Sequence, residues 1–127
     1  VTFELKVSNE LKINSYPGAF AQIITNLILN AIKYAYSDKQ EGTVTISVHE
    51  DNNHLGIVFK DDGNGISPEN LPKIFDLFFT TARNNGGTGL GLNIVYNIIT
   101  DNLNGSINCT SVENEGTVFN ISIPLNS

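Results

Sequence analysis

The sequence predicts an α+β fold, a two-layer α/β sandwich in which five strands pack against three helices. Three observations predict it. Five short segments alternate apolar and polar residues, the two-residue period of a half-buried strand. Two longer segments repeat their apolar residues with helical spacing, and a third, shorter one opens on a helix-start signature. The order is strand, long helix, two strands, short helix, loop, helix, two strands, without internal repeat or low-complexity linker, and one sheet covered by helices satisfies it.

The first strand runs from Val1 to Val7, where Val1, Phe3, Leu5 and Val7 alternate with Thr2, Glu4 and Lys6. Asn9 to Ser15 is a polar connection, and Pro17 suits a first helical position. The long helix extends from there to about Tyr36, roughly 30 Å. Thr43 to Glu50 and His54 to Lys60 form a hairpin around Asn52-Asn53. Asp61-Asp62-Gly63-Asn64-Gly65 ends the second of these strands sharply. Ser67-Pro68-Glu69 reads as an N-cap, a first-turn proline and a first-turn acid, opening a short helix toward Phe75. Asp76 to Gly89 has no period and reads as a mobile loop. The third helix runs from Leu90 to about Leu103, with Gly105 as its stop signal. Ser106 to Ser111 and Thr117 to Pro124 are the last two strands, turning at Asn114-Glu115-Gly116.

A chain of 127 residues, 40% of them hydrophobic, suffices for one domain with a real core, and residues 1–127 are read as that single domain. No apolar run approaches the ~20 residues of a membrane helix, and residues 1–127 are not expected to include a signal peptide. The single Cys109 cannot form an internal disulfide, so a reducing compartment is expected, with Cys109 as a small buried residue. A net charge of −6 and seven scattered basic residues argue against a nucleic-acid surface. The absence of methionine and the opening in mid-pattern at Val1 read as a piece of a longer protein.

Three polar features ask for a ligand. The first is Gly86-Gly87-Thr88-Gly89-Leu90-Gly91-Leu92, glycine-rich and leading into a helix. Backbone N–H groups there can approach an anion. It is neither a Walker loop, having no Gly-Lys-Ser/Thr, nor a dinucleotide fingerprint. The second is a stripe on the long helix. With Gln22 at 0° and about 100° per residue, Lys33 falls near 20°, Asn26 near 40°, Asn30 near 80° and Tyr34 near 120°. Phe20, Ile24, Leu27, Ile28, Ala31, Ile32 and Ala35 fall between about 140° and 280° and should pack on the sheet. A solvated face normally uses better helix formers than asparagine. Amide oxygens can coordinate a hard cation, Lys33 can meet a phosphate, and Tyr34 offers a ring for a planar base. The third feature is Asp61. The Asp-Gly pairs there signal a turn, and Ile66 and Ser67 exclude an EF-hand loop. A carboxylate at the base of an apolar pocket can accept a hydrogen bond from the exocyclic amine of adenine, and would repel the carbonyl of guanine. Flanking glycines would let a flat base come close.

These residues resemble the catalytic and ATP-binding domain of sensor histidine kinases, from about Val1 to Pro124. Asn26-Leu-Ile-Leu-Asn30-Ala-Ile-Lys33-Tyr34 resembles the N box, and Asp61-Asp-Gly63-Asn-Gly65 the first glycine box. Phe75-Asp-Leu-Phe78-Phe79-Thr80-Thr81 resembles the F box, and Gly87-Thr88-Gly89-Leu90-Gly91-Leu92 the second glycine box. The resemblance implies the Bergerat fold shared with gyrase B and MutL, with a mixed five-stranded sheet. It implies that Asp61 binds the adenine amine, Asn30 binds Mg²⁺, Asn26 lies near the phosphates, Lys33 contacts phosphate and Tyr34 flanks the base. Gly87, Thr88, Gly89 and Gly91 would wrap the phosphates. Gly63, Gly65, Ile66, Phe78, Thr80, Thr81, Leu90 and Leu92 would complete the ATP contacts. The loop from about Phe78 to Gly86 would be an ATP lid in which Arg83 can reach a phosphate. Leu77 departs from the family's usual proline.

The resemblance also bears on the chemistry. Hydrolysing relatives carry a glutamate where this chain has Asn26, and an amide cannot act as general base. That favours transfer of the γ-phosphoryl group to a histidine, with Asn26 and Lys33 as catalytic residues. His49-Glu50 lacks the residues of a phosphoacceptor box, and His54 opens a strand, so the acceptor should lie elsewhere. The implied partners are a dimerisation and histidine-phosphotransfer helical domain of the same parent protein and a response regulator receiver domain. A monomeric isolated domain, a homodimeric parent and a cytoplasmic location go with this reading. The alternatives are a nucleotide-binding regulatory module and a Bergerat-fold ATPase without kinase activity.

Overall fold

The computed structural model describes residues 2–7, 17–36, 41–76 and 91–124. Strand β1 (Thr2–Val7) precedes helix α1 (Pro17–Asn30), which widens into a π turn at Ala31–Ala35. Strands β2 (Thr43–Asp51) and β3 (His54–Asp61) follow, then a single 3-10 turn at Leu71–Lys73. Helix α2 (Gly91–Asn97) widens into a second π turn at Ile98–Asn102, and β4 (Ser106–Val112) and β5 (Gly116–Pro124) close the chain.

The sheet order is β1-β2-β3-β5-β4. Only β1 and β2 are parallel; the other neighbours are antiparallel, so the sheet is mixed. The parallel pair needs a crossover, and α1 lies in it. The β2–β3 hairpin turns on Asn52 and Asn53, both at positive φ (50° and 65°), which matches the strand twist.

Strand pairing aligns the inward residues into rows across the sheet. Ile46, Phe59, Phe119 and Cys109 form one row, and Val48, Ile57, Ile121 and Ile107 the next. Against these rows α1 and its π turn bury Ile23, Leu27, Ala31 and Ala35, spaced four apart, and α2 and its π turn bury Val95, Ile98 and Ile99. Each large apolar side chain so buried contributes about 1.5–3 kcal/mol.

Four expectations are refined. The apolar arc of α1 is rotated from the expected one: Ile23, left out of it, is fully buried, whereas Ile32, placed in it, is 48% exposed. Both α-helices among the described residues end in π turns, Tyr36 N–H reaching Ala31 O (3.2 Å) and Leu103 N–H reaching Ile98 O (3.0 Å). The predicted helix after Ser67 shrinks to turns and one 3-10 turn. Ser67 still caps, its Oγ accepting from Asn70 N–H at 3.3 Å, but Pro72 has no N–H and its ring opposes a carbonyl four residues back. The stop of the last helix is Asn104, at φ 55°, rather than Gly105. Gly105 donates its N–H to Ile99 O (2.7 Å), and a Cβ there would meet Ser122 O at 2.4 Å.

Candidate functional site

The inward residues of β3 are Leu55, Ile57, Phe59 and Asp61. Alternation therefore delivers a carboxylate to the core face, where three hydrocarbon side chains precede it. Asp61 is 4% exposed. Its Oδ1 accepts the Gly63 N–H at 2.9 Å, and the Thr117 backbone N–H bonds it as well. Burial pushes its carboxyl above the usual carboxylate range; those two N–H groups pull it back, and the neighbouring Asp62 charge adds to the rise.

Asp61 pairs with Thr117 of β5, and Thr117 pairs with Ser111 of β4. The last inward row of the sheet, Val44-Asp61-Thr117-Ser111, thus sets three polar side chains next to one another, where the preceding rows are mostly hydrocarbon. The Ser111 hydroxyl bonds Gly116 O (2.8 Å), Thr117 Oγ1 (2.9 Å) and Ile66 N–H (2.7 Å). Sequence reasoning missed Ser111 and Thr117. The available signal was the two-residue count along β5, in which Thr117 heads the inward series Phe119, Ile121 and Ile123. Cys109 faces inward on the same sheet and is half-buried; burial, with Asp61's charge adding, pushes its thiol up to about 12.

The turn after Asp61 is clamped between α1 and the β4–β5 hairpin. Asn64 N–H bonds Ala35 O (2.8 Å), and Asn114 N–H bonds Asn64 O (2.6 Å). A Cβ on Gly63 would lie 2.3 Å from Ala35 O, and one on Gly65 (φ 70°) 2.2 Å from Val112 O. Both glycines are thus demanded by neighbouring protein backbone, a reason independent of any base. Tyr36 closes the clamp. Its hydroxyl donates to Asp62 Oδ1 (2.7 Å), which also accepts the Thr43 N–H (2.9 Å). Burial and the Asp62 carboxylate hold the phenol well above its ordinary range.

Asn26 and Asn30 sit one turn apart on α1, both half-buried. Asn26 Nδ2 is buried and has no hydrogen-bond partner among the described residues. Lys33 and Tyr34 follow inside the π turn, and Lys33 is exposed. Uniform helical stepping from Asn26 to Tyr34 therefore does not hold past Asn30. Gly91 begins α2, with no described residue within 4 Å of where a Cβ would stand, and Leu92 packs half-buried against the core. Asn93 Nδ2 donates to Phe75 O (3.0 Å), and the Phe75 ring stacks at a tilt on Tyr96, 5.3 Å between centroids. Phe78, Thr80, Thr81, Arg83, Gly87, Thr88, Gly89 and Leu90, with Leu77, lie outside the described residues.

His49 pairs with Gly56, and its imidazole lies over that glycine, 2.4 Å from where a Cβ would be. His54 Nδ1 is 3.1 Å from Asn52 O. Both are hairpin residues by contact.

The family model for histidine kinase-, DNA gyrase B- and HSP90-like ATPases matches residues 16–127. The chain belongs to that family. Within this ATPase family it is 38% identical over 115 residues to the sensor histidine kinase ZraS of Salmonella typhi. It is 38% identical over 116 residues to sporulation kinase A of Bacillus subtilis. These alignments cover 90% and 91% of this chain but 23% and 18% of the relatives, so the chain spans less than a quarter of their length. Among solved structures, the nucleotide-free catalytic domain of the histidine kinase ThkA superposes with a TM-score of 0.80 at 33% identity. That match covers 97% of this chain and 78% of that one. Full-length ShkA in complex with AMPPNP gives 0.81 at 25% identity, covering 99% and 26%. The mixed-sheet α+β fold of this ATPase-family chain is thus that of histidine kinase catalytic domains.

Proposed function

We propose that the chain binds Mg-ATP and transfers its γ-phosphoryl group to a histidine on a separate helical dimerisation domain of the same parent protein. The observation that carries this reading is the buried amide nitrogen of Asn26, without a partner among the described residues. A buried N–H group without a partner costs about 1–3 kcal/mol, and a phosphate oxygen would satisfy it. An amide also cannot deprotonate water, which favours transfer over hydrolysis.

Asp61 accepts the adenine amine, with Gly63 holding the carboxylate by its N–H and Gly65 and Ile66 carrying the turn beneath the base. Lys33 donates to phosphate, and Tyr34 flanks the base. Gly91 and Leu92, with Phe78, Thr80, Thr81, Arg83, Gly87, Thr88, Gly89 and Leu90, complete the phosphate and lid contacts. The donor set also fits a metal. Among the described residues no three His, Cys, Asp or Glu side chains gather to hold an ion. A magnesium ion would then be held by the Asn30 amide oxygen and the substrate's own phosphates, the way this ion is commonly bound. When bound, it neutralises charge on the phosphates. In the reaction an imidazole nitrogen attacks the γ-phosphorus, the bond to the β-bridging oxygen breaks, ADP leaves, and the imidazole proton passes to solvent. Asn26 and Lys33 stabilise the charge that develops.

A response regulator receiver domain would take the phosphoryl group onward, from a homodimeric parent whose kinase portion is cytoplasmic. Among the described residues no helix is long and apolar enough to cross a membrane. The test combines this chain with the helical domain of its parent and ATP labelled in the γ-phosphate. Labelled histidine is expected on the helical domain, and His49→Ala and His54→Ala in this chain should leave it unchanged. Rapid steady-state phosphate release by the isolated chain would instead identify an ATPase. ATP binding without either reaction would identify a regulatory module.

A further inference from the structure

Resting on the nucleotide reading above, we propose that Ser111 is a positioning residue that fixes the hydrogen-bond polarity of Thr117, and through it the preference for adenine over guanine. A hydroxyl has one proton and two lone pairs. Ser111 Oγ lies 2.8 Å from Gly116 O, 2.7 Å from Ile66 N and 2.9 Å from Thr117 Oγ1. The Gly116 carbonyl can only accept, so it takes the serine proton. The Ile66 N–H can only donate, so it occupies one serine lone pair. The second lone pair is left for Thr117, which must therefore donate. Its single proton is drawn toward β4, and its oxygen is left with lone pairs alone.

That oxygen belongs to a residue paired with Asp61, both 4% exposed at the end of the sheet. The carboxylate and the threonine oxygen then form a surface of acceptors. An exocyclic amine, with two N–H groups, satisfies it directly or through a water that donates. A carbonyl oxygen at the same position meets only acceptors and is repelled. Sites built to hydrogen-bond a particular group discriminate strongly because the wrong partner leaves buried atoms unpaired. Without the Ser111 oxygen, the Thr117 proton is free to turn. It can then donate to Asp61, weakening the site for an amine, or to a carbonyl, admitting the wrong base. Ser111 touches neither base nor phosphate in this scheme; it acts through Thr117.

Equilibrium binding of Mg-ATP and Mg-GTP to the 127-residue chain tests it. Ser111→Ala should lower the ATP-to-GTP affinity ratio roughly tenfold, and Ser111→Thr should keep it. Thr117→Val should lower the ratio by itself, and adding Ser111→Ala to it should change the ratio no further. If Ser111→Ala does not fold, Ser111→Cys substitutes a weak acceptor of similar shape and should lower the ratio in the same direction. Equal losses of ATP and GTP affinity in Ser111→Ala would make Ser111 merely structural and overturn the proposal. So would a Ser111→Ala effect that persists at full size in Thr117→Val, or a wild type that binds both nucleotides equally. A wild type that binds neither overturns the nucleotide reading and this inference together; one that prefers ATP with an unmoved ratio in Ser111→Ala overturns this inference alone.

Discussion

Asp61 stands where the alternation of β3 calls for another hydrocarbon side chain after Leu55, Ile57 and Phe59, and that misfit has a thermodynamic consequence. Burial raises its pKa in the folded chain above the ordinary carboxylate value, so the folded state holds the proton more tightly than the unfolded one. Between the two values the folded state binds more protons, and stability therefore falls as pH rises through this window. At neutral pH the ionised Asp61 is a net cost to the fold, kept in place by the Gly63 and Thr117 N–H groups. Asp61→Asn removes that ionisation. Its Oδ1 can still accept from Gly63, but its NH₂ presents donors where adenine's amine needs an acceptor. The variant should match or exceed the wild type's melting temperature at pH 7, lose that advantage toward pH 4, and bind ATP at least roughly tenfold more weakly. Thermal melts across pH beside a binding titration would check all three. A variant that binds ATP as well as wild type would remove Asp61 from the base-reading role.

Glycines separate into two kinds once the elements are packed. Gly63 touches the end of α1 so closely that an added Cβ would lie 2.3 Å from Ala35 O. Gly91 begins α2 with nothing among the described residues within 4 Å of the same atom. Gly63→Ala should therefore push α1 off the turn after β3 and cost the fold several kcal/mol, on the order of the larger single-site losses. Gly91→Ala should change the stability of the fold by no more than about 0.5 kcal/mol, because glycine's penalty against alanine belongs to helix interiors and Gly91 stands at a helix start, while lowering ATP affinity. Urea melts with ATP titrations distinguish the two; unchanged ATP affinity in Gly91→Ala would deny that residue a phosphate contact. The same contrast explains what was legible in the sequence. The strands were legible because a period of two is carried by each segment alone, and Asp61 and Asn26 stood out as residue types unfit for their places. Thr117 and Ser111 were not, because a hydroxyl on a strand looks ordinary until pairing sets Thr117 beside Asp61 and Ser111 beside Thr117. The clamping role of Gly63 was hidden likewise, since it depends on where α1 ends. The rotated face of α1 depends on what the sheet covers, and the π turns depend on how each helix is drawn onto it.

At the scale of the molecule, the polar features converge on one end of the fold. The end of α1 reaches the turn after β3 through Ala35 and Tyr36, that turn reaches the β4–β5 hairpin through Asn64 and Asn114, and Ser111 ties the hairpin back to Ile66. A ligand that contacts α1 and Asp61 at once would add a further tie at this end between elements already packed through the core, and binding to the folded state alone stabilises it by mass action. At a hundred times its dissociation constant, ATP with Mg²⁺ should add about 2.7 kcal/mol, a rise in melting temperature of roughly 10 °C for a chain of this size. GTP at the same concentration should give a much smaller rise, because the proposed acceptor surface at Asp61 would oppose its carbonyl. Chelating the metal should shrink the ATP effect, since Asn30 would then face the phosphates without the cation that both would share. Asp61→Asn should abolish most of the effect while leaving the melting temperature without nucleotide intact, which separates a lost ligand from a damaged fold. An equal rise with GTP, or a full rise with ATP in Asp61→Asn, would mean that the nucleotide is held by its phosphates alone and that the buried carboxylate serves the sheet rather than the base.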